Sequence, residues 1–378
     1  MEIRCLLTQQ QLDEAAKLSD SIFRDSEQVS MQAAFPGVFS EALGQSYGAF
    51  DNGKLVSFMG LVPAVLRIGE ARLPIYSLGS VCTHPDYRGQ GTASEILTKI
   101  LEHIDRAGAS LLLVSGGRSL YTRAGCCTYG QVHRYLWEEG QPLPSRPVPE
   151  GTVLRELAPT DWFRLYELAS SRRSRYEQSV WDLAGLIHAE ALSTCYKLQH
   201  KVLVAENAEG DLLTFAVIGV PYSDTPKREP HLIEWGGAAE GMPALLSYAI
   251  RTYGLKKLNI PVPWHEDKLA AELAGLPCNT GKATGTVYIV NPERVLGHMY
   301  PYLKSVDAGA ADSLRITRLE DGRTSVALDG WTAELTVQET VSMFFDPAPE
   351  FQAPEELKKR LSALFPIPFP YDAGLNYV

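Results

Sequence analysis

Apolar positions along this chain switch repeatedly between a period of about two and a period of about 3.6 residues, and the switches lay out its elements. Ile3–Leu7 reads as a short strand. Behind Thr8, a residue suited to an N-cap, Leu12, Ala15, Ala16, Leu18 and Ile22 recur at helical spacing. A less regular segment covers about 28–43. Tyr47–Asp51 and Leu55–Ile68 flank Asn52-Gly53, whose positive φ angles suit a two-residue hairpin turn. Leu73–Thr83 is a long strand, and a helix is predicted from Thr92 to about Arg106 with Ile96, Leu97, Ile100, Leu101 and Ile104 on one face. Leu-Leu-Leu-Val within Ser110–Ser115 predicts a fully buried strand, and Val132–Trp137 is expected to close an α/β unit over residues 1–137.

Residues 138–151 carry Pro142, Pro144, Pro147 and Pro149, a density that breaks helix and ladder alike and marks a linker. Residues 152–290 repeat the first unit's order. A strand at Val153–Leu157 precedes a helix opened by Pro159-Thr160-Asp161 and a further helix over Val180–Leu192. Val202–Glu206 and Leu212–Val220 form a hairpin, and His231–Trp235 is followed by a helix bearing Leu245, Leu246, Ala249 and Ile250. Lys257–Val262 and Thr286–Val290 are the last strands. Residues 291–378 differ: a helix over Pro292–Tyr302, a hairpin around Asp321-Gly322, a strand at Trp331–Val337, then helices at Glu339–Phe345 and Pro354–Leu364. The last stretch, 365–378, is aromatic, apolar and rich in proline, which suits a tail docked on the body better than a free end.

At 378 residues the chain suits two or three domains. No apolar run approaches the roughly 18 residues of a membrane span, and Met1–Cys5 has no secretory pattern. Six cysteines without a C-x-x-C pair suit reduced thiols in the cytoplasm, and no metal site is expected. A net charge of −10 argues against nucleic acid and is compatible with cationic, amine-bearing substrates.

The chemistry is expected in Val81–Ala93. Pro85 lacks the amide a ladder needs and ends the strand; Arg88-Gly89-Gln90-Gly91 forms a tight loop; a helix then starts at Thr92. A strand, a glycine loop and a helix N-terminus can aim backbone N–H groups and the helix's positive end at one point, an anion site suited to a pyrophosphate. The loop fits neither the nucleotide-triphosphate pattern nor the dinucleotide pattern. No histidine stands out as a base: His84 abuts the loop and suits a cap, while His103 lies among charged residues and is expected to be solvated. Tyr76, Tyr87 and Tyr129 look structural. In the second unit Gly236–Pro243 stands where the loop would be, but it has no arginine, and Glu240 would repel phosphate.

Arg88-Gly89-Gln90-Gly91-Thr92-Ala93 resembles the R/Q-x-x-G-x-G/A motif of the GCN5-related N-acetyltransferases (GNAT). Val81–Tyr87 is similar to their lead-in, and Tyr121–Cys126 to their Tyr-x-x-x-Gly-Phe segment, with Cys126 in place of Phe. The whole chain resembles the bacterial Eis (enhanced intracellular survival) acetyltransferases. The resemblance implies an α/β (α+β) GNAT fold: an active unit (1–137), a linker (138–151), a degenerate unit without coenzyme (152–290) and a sterol-carrier-like domain with the tail (291–378). It implies acetyl-CoA as donor, a small-molecule or peptide amine as acceptor (an aminoglycoside, a polyamine or a lysine side chain), and a homo-oligomer, hexameric in some members. Carried over, Val81 and Thr83 would bond the pantetheine arm through their backbone, and Arg88, Gly89, Gln90, Gly91, Thr92 and Ala93 would hold the pyrophosphate. Tyr121 would be the general acid and the α-carboxylate of Val378 the general base, although this tail ends in Leu-Asn-Tyr-Val where the family ends in Phe. The rival expectation is a non-catalytic carrier of an apolar ligand with a vestigial transferase site. The intact loop at Arg88 weighs against it, since the corresponding loop of the second unit has decayed.

Overall fold

The computed structural model describes residues 1–142 and 148–378; of the prolines expected to stiffen the linker, Pro144 and Pro147 lie outside the described residues. Two seven-stranded sheets and one three-stranded sheet form the frame. In the first sheet Glu2–Cys5, Tyr47–Asp51, Lys54–Ile68 and Ala71–Thr83 are successive antiparallel neighbours. Asn52 and Gly53 take φ of 47° and 82°, as the hairpin turn demands. Leu111–Val114 then adds parallel to Ala71–Thr83. A parallel step needs a crossover, and the helix Thr92–Arg106 supplies it, burying Ile96, Leu97, Ile100 and Ile104 against the sheet. The second sheet repeats this plan. Val153–Glu156, Leu198–Glu206, Leu212–Pro221 and His231–Gly237 are antiparallel neighbours, and Lys257–Pro263 returns parallel after the helix Met242–Tyr253.

The two units exchange strands. Val132–Glu138, expected to close the first unit, pairs with Lys257–Pro263 in the second sheet. Thr286–Ile289, expected to end the second unit, pairs with Leu111–Val114 in the first. A three-residue strand that the pattern had not suggested, Ser174–Tyr176, joins the first sheet beside Leu66–Ile68. Expected boundaries at 137/138 and 290/291 therefore assign each exchanged strand to the wrong sheet. Alternation states that a strand has a buried face; it does not state which of two similar open edges the strand covers. Along the helix expected over Val180–Leu192, Glu190 takes φ 51° and breaks it into Val180–Ala189 and Ala191–Cys195.

Residues 291–378 hold the helices Pro292–Val306, Val337–Phe345 and Glu355–Leu361 and the strands Arg315–Arg318, Thr324–Leu328 and Trp331–Leu335. Their core is continuous with that of the first sheet: Phe344, Phe345 and Leu357 belong to one buried cluster with Leu66, Leu73 and Leu111. All six cysteines are free. Among the described residues no helix is long and apolar enough to cross a membrane, and no group of three or more metal-ligating side chains is assembled.

Candidate active site

The site begins as a parting of strands. Ala71–Thr83 pairs with Leu111–Val114 up to Leu78 and Val114, and Ser115 N–H donates to Leu78 O at 3.3 Å. Beyond that point Ala71–Thr83 runs on while its neighbour has ended, so the backbone of Val81 and Thr83 borders an open split. On the other edge the pairing with Lys54–Ile68 slips between Phe58 and Gly60, leaving one extra residue near Ser80. Ser80 takes φ 52°, and its buried hydroxyl has no partner. A bulge of this kind bends its strand and widens the opening. Gly79 beside Ser80 was the signal in the sequence, since an isolated glycine in a strand marks a bulge or a close approach.

The loop at the end of this strand is fixed by local hydrogen bonds. His84 Nδ1 accepts from Asp86 N–H at 3.4 Å and caps the single turn Pro85–Tyr87, the capping role expected for it. Arg88 Nε donates to Thr83 O at 3.1 Å, tying the loop's cation to the strand end. Gly89 and Gly91 take φ of 76° and 82°, and a Cβ on either would meet nothing within 4 Å. The glycines are therefore required by backbone conformation, and the space above them is open. Helical bonding starts with Ser94 and Glu95 N–H donating to Gly91 O, so the amides of Thr92 and Ala93 precede it and point out of the N-terminus. Arg88, Gly89, Gln90 and Gly91 are exposed, whereas Thr92 is buried. If this loop holds the pyrophosphate expected of it, Arg88→Ala should weaken coenzyme binding roughly tenfold with no change in melting temperature, the loss of one exposed charge-assisted contact of about 1.4 kcal/mol. Calorimetric titration measures it.

The second unit shows the same parting without the nest. His231–Gly237 and Lys257–Pro263 meet only at His231 and Asn259. Gly237 lies so close to Leu213 that a Cβ would strike its carbonyl, and Ala238 N–H donates to Leu213 O at 2.9 Å. The loop is thus folded down onto its own sheet, and Glu240 is exposed beside it.

Tyr121 stands in the short helix Ser119–Arg123 and is buried in the cluster that includes Leu78, Val114 and Cys126. Burial pushes its phenol up to about 12, and pushes the neighbouring Cys126 thiol up to about 12 as well. His103, expected in solvent, is half-buried: Nε2 bonds Gln45 Oε1 at 2.7 Å and Nδ1 bonds Tyr47 Oη at 3.2 Å. Burial, with Arg106 nearby, holds its pKa below the usual histidine value. It is a packing residue on the helix's inner edge.

The tail docks, as its composition suggested. Ile367, Phe369, Ala373 and Leu375 are buried. Ile367 N–H donates to Phe344 O at 2.7 Å, Ser174 Oγ to Pro368 O at 2.6 Å, and Gln178 Nε2 to Asn376 Oδ1 at 2.9 Å. His265 Nε2 bonds Phe369 O at 2.8 Å, and Gly374 lies against Ile233 O and Glu234. The tail therefore passes along the second unit's split, whose sides Arg172 bridges by pairing with Glu234 and Glu266. It ends on the first unit: a Cβ built on Gly79 would fall onto the carboxyl carbon and oxygen of Val378. The C-terminus and Tyr121 thus flank the point where the two strands part, at Leu78 and Val114, although Tyr121 does not line the cavity that Val378 lines. Gly79→Ala should displace the terminal carboxylate and, if that carboxylate is the base expected of it, lower kcat roughly 100-fold, the effect of about 1 Å of misplacement. Steady-state kinetics beside a melting curve checks it, and an unchanged kcat would show that the carboxylate tolerates displacement.

Residues 3–129 match the family model described as acetyltransferase (GNAT) domain. No curated protein sequence matches the chain. Among solved structures, a GCN5-related N-acetyltransferase from Kribbella flavida is 14% identical, with 100% of both chains covered and a TM-score of 0.64. One from Anabaena variabilis is 13% identical over 99% of this chain and 98% of that one, with a TM-score of 0.64. Eis1 from Mycobacterium abscessus is 13% identical over 91% of this chain and 89% of its own, with a TM-score of 0.61. Residues 3–129 thus carry a GNAT acetyltransferase domain. The whole chain shares its fold with Eis1 and with the Kribbella and Anabaena proteins.

Proposed function

We propose that this enzyme moves an acetyl group from acetyl-CoA to the amine of an aminoglycoside, a polyamine or a lysine side chain. Arg88 and the backbone of Gly89, Gln90, Gly91, Thr92 and Ala93 hold the pyrophosphate. The free edges of Val81 and Thr83 guide the pantetheine arm into the split. There the thioester meets an amine that, with an ordinary pKa near 10.4, arrives protonated. The Val378 carboxylate removes a proton from the nitrogen, the nitrogen attacks the carbonyl, and Tyr121 protonates the departing sulfur. The observation that carries this reading is the seat of Val378 on Gly79, at the bulge where the strands part. In the same reading residues 152–290 no longer hold coenzyme, since the Gly236–Pro243 loop is folded onto its sheet. Residues 291–378 act as a sterol-carrier-like scaffold that aims the tail, and the protein works in the cytoplasm as a homo-oligomer.

An ordinary phenol lies about 6.5 pKa units above a free α-carboxyl group, which suits the division of labour with the phenol as acid. An ordinary phenol and an ordinary thiol lie within about two pKa units of each other, which suits the phenol as proton donor to a thiolate. Burial lifts Tyr121, but it lifts a thiol in the same surroundings too, as Cys126 shows. A coenzyme thiol buried beside Tyr121 would be raised in the same direction. The test has two arms. Calorimetric titration with acetyl-CoA should show binding, and its absence would retire the enzyme reading. A panel of aminoglycosides, polyamines and lysyl peptides, followed by free-thiol release, should show turnover with at least one class.

A further inference from the structure

Asp372 takes no part in the chemistry above, yet it lines the same cavity as Val378. That cavity lies between the ends of Ala71–Thr83 and Leu111–Val114, the strand Thr286–Ile289 and the tail. It offers about 20 Å³ to the centre of a water, room for roughly one molecule. Asp372 Oδ2 accepts from Gly285 N–H at 2.7 Å, while Oδ1 is buried without a partner. Tyr129 Oη is buried beside Asp372, within reach of its carboxylate but without a well-aligned hydrogen bond to it. A water bound there would satisfy both orphaned atoms.

The charged and titratable groups around Asp372 come from several elements. Tyr129 and Tyr176 face it from the body, Tyr371, Tyr377 and the Val378 carboxylate from the tail. Arg134 is the cation whose field reaches it, and Glu234 acts on Tyr176. Burial raises the Asp372 carboxyl above the usual aspartate value, against the pull of backbone donors and Arg134. Such a carboxyl takes up a proton more readily than an exposed one.

The reaction leaves a proton over. An ammonium carries three N–H bonds and an amide one, so the nitrogen loses two protons as the N–C bond forms and the C–S bond breaks. One of them replaces the proton that Tyr121 gives to sulfur. The other must leave a site that the tail closes. We propose that Asp372 takes this surplus proton: it passes from the Val378 carboxylate through the water-sized cavity to Asp372 Oδ1, and is released to solvent when the product departs. The proposal rests on the reading of Val378 as base. Asp372 touches no reacting atom; it is a positioning residue for the proton.

Asp372→Asn keeps an oxygen for Gly285 and removes the proton affinity. Its kcat at pH 7 should fall about tenfold, with the deficit shrinking toward pH 9 as hydroxide takes over, and added formate should restore part of the rate. A deficit equal at every pH and untouched by formate would make Asp372 a tail anchor only. Wild-type rates throughout would remove it from the reaction. Tyr129→Phe keeps the ring packed on Phe345 and Phe369 and loses only the hydroxyl. Should Asp372→Asn fail to fold, Tyr129→Phe decides: a smaller loss on the same limb is expected, and an unchanged profile overturns the relay. Deleting Val378 in the same assay separates the two claims. If that variant keeps full kcat, the base and the relay fall together; if it is inactive while Asp372→Asn is wild-type, the relay alone falls.

Discussion

Removing Val378 should lower kcat by about 10³-fold, within the range that a positioned acid or base contributes. Truncation does not abolish a C-terminal carboxylate. It moves it back one residue, to Tyr377, roughly 3.5 Å along the chain. Proton transfer works over a hydrogen bond of about 2.6–3.2 Å, so a retreat of that size breaks it. Adding two or three residues should be as damaging, since the charge is then replaced by a peptide group that must leave the cavity. Folding should survive both changes. Val378 is only half-buried, and the tail keeps its bonds through Phe369, Asp372 and Asn376. A melting curve and acetyl-CoA titration beside the kinetics would establish this. Full activity in a C-terminally extended protein would place the base elsewhere.

Tyr121→Phe should cost about 10²-fold in kcat and leave the affinity for acetyl-CoA within about twofold, because in the role proposed for it only the departing sulfur uses the hydroxyl. The change removes one oxygen from a ring already packed among Leu78, Val114 and Cys126, so the fold should hold. The pH dependence is a second check with a definite sign. Burial raises Tyr121 to about 12, so its acid form persists until the pH nears that value. The wild-type rate should therefore show no alkaline fall from Tyr121 below about pH 10, where an unperturbed phenol would titrate. An alkaline limb near pH 9 that vanished in Tyr121→Phe would mean that this phenol is far less buried than its packing indicates.

Much of the local structure was legible because it is locally caused. The glycine loop can be read from Arg88–Ala93 since positive φ at Gly89 and Gly91 belongs to those residues themselves. The hairpin at Asn52-Gly53 and the amphipathic helix Thr92–Arg106 were equally open to reading. His103 was misread because a single histidine among charges looks solvated. Its burial depends on Gln45 and Tyr47, more than 50 residues away. Asp372 carries no local pattern and Tyr129 reads as structural, and their meeting is made by the tail's path.

By itself, then, the sequence determined the elements, the glycine loop with its positive-φ residues and a tail too apolar to remain in solvent. Only the tertiary structure decided which sheet received Val132–Glu138 and which Thr286–Ile289. It also decided that the second unit's split would hold the tail, and that Val378 would stop on Gly79. The reason is physical. Periodicity and turn chemistry act over a few residues, whereas strand exchange and the docking of a chain end depend on edges and cavities that exist only after distant segments have packed.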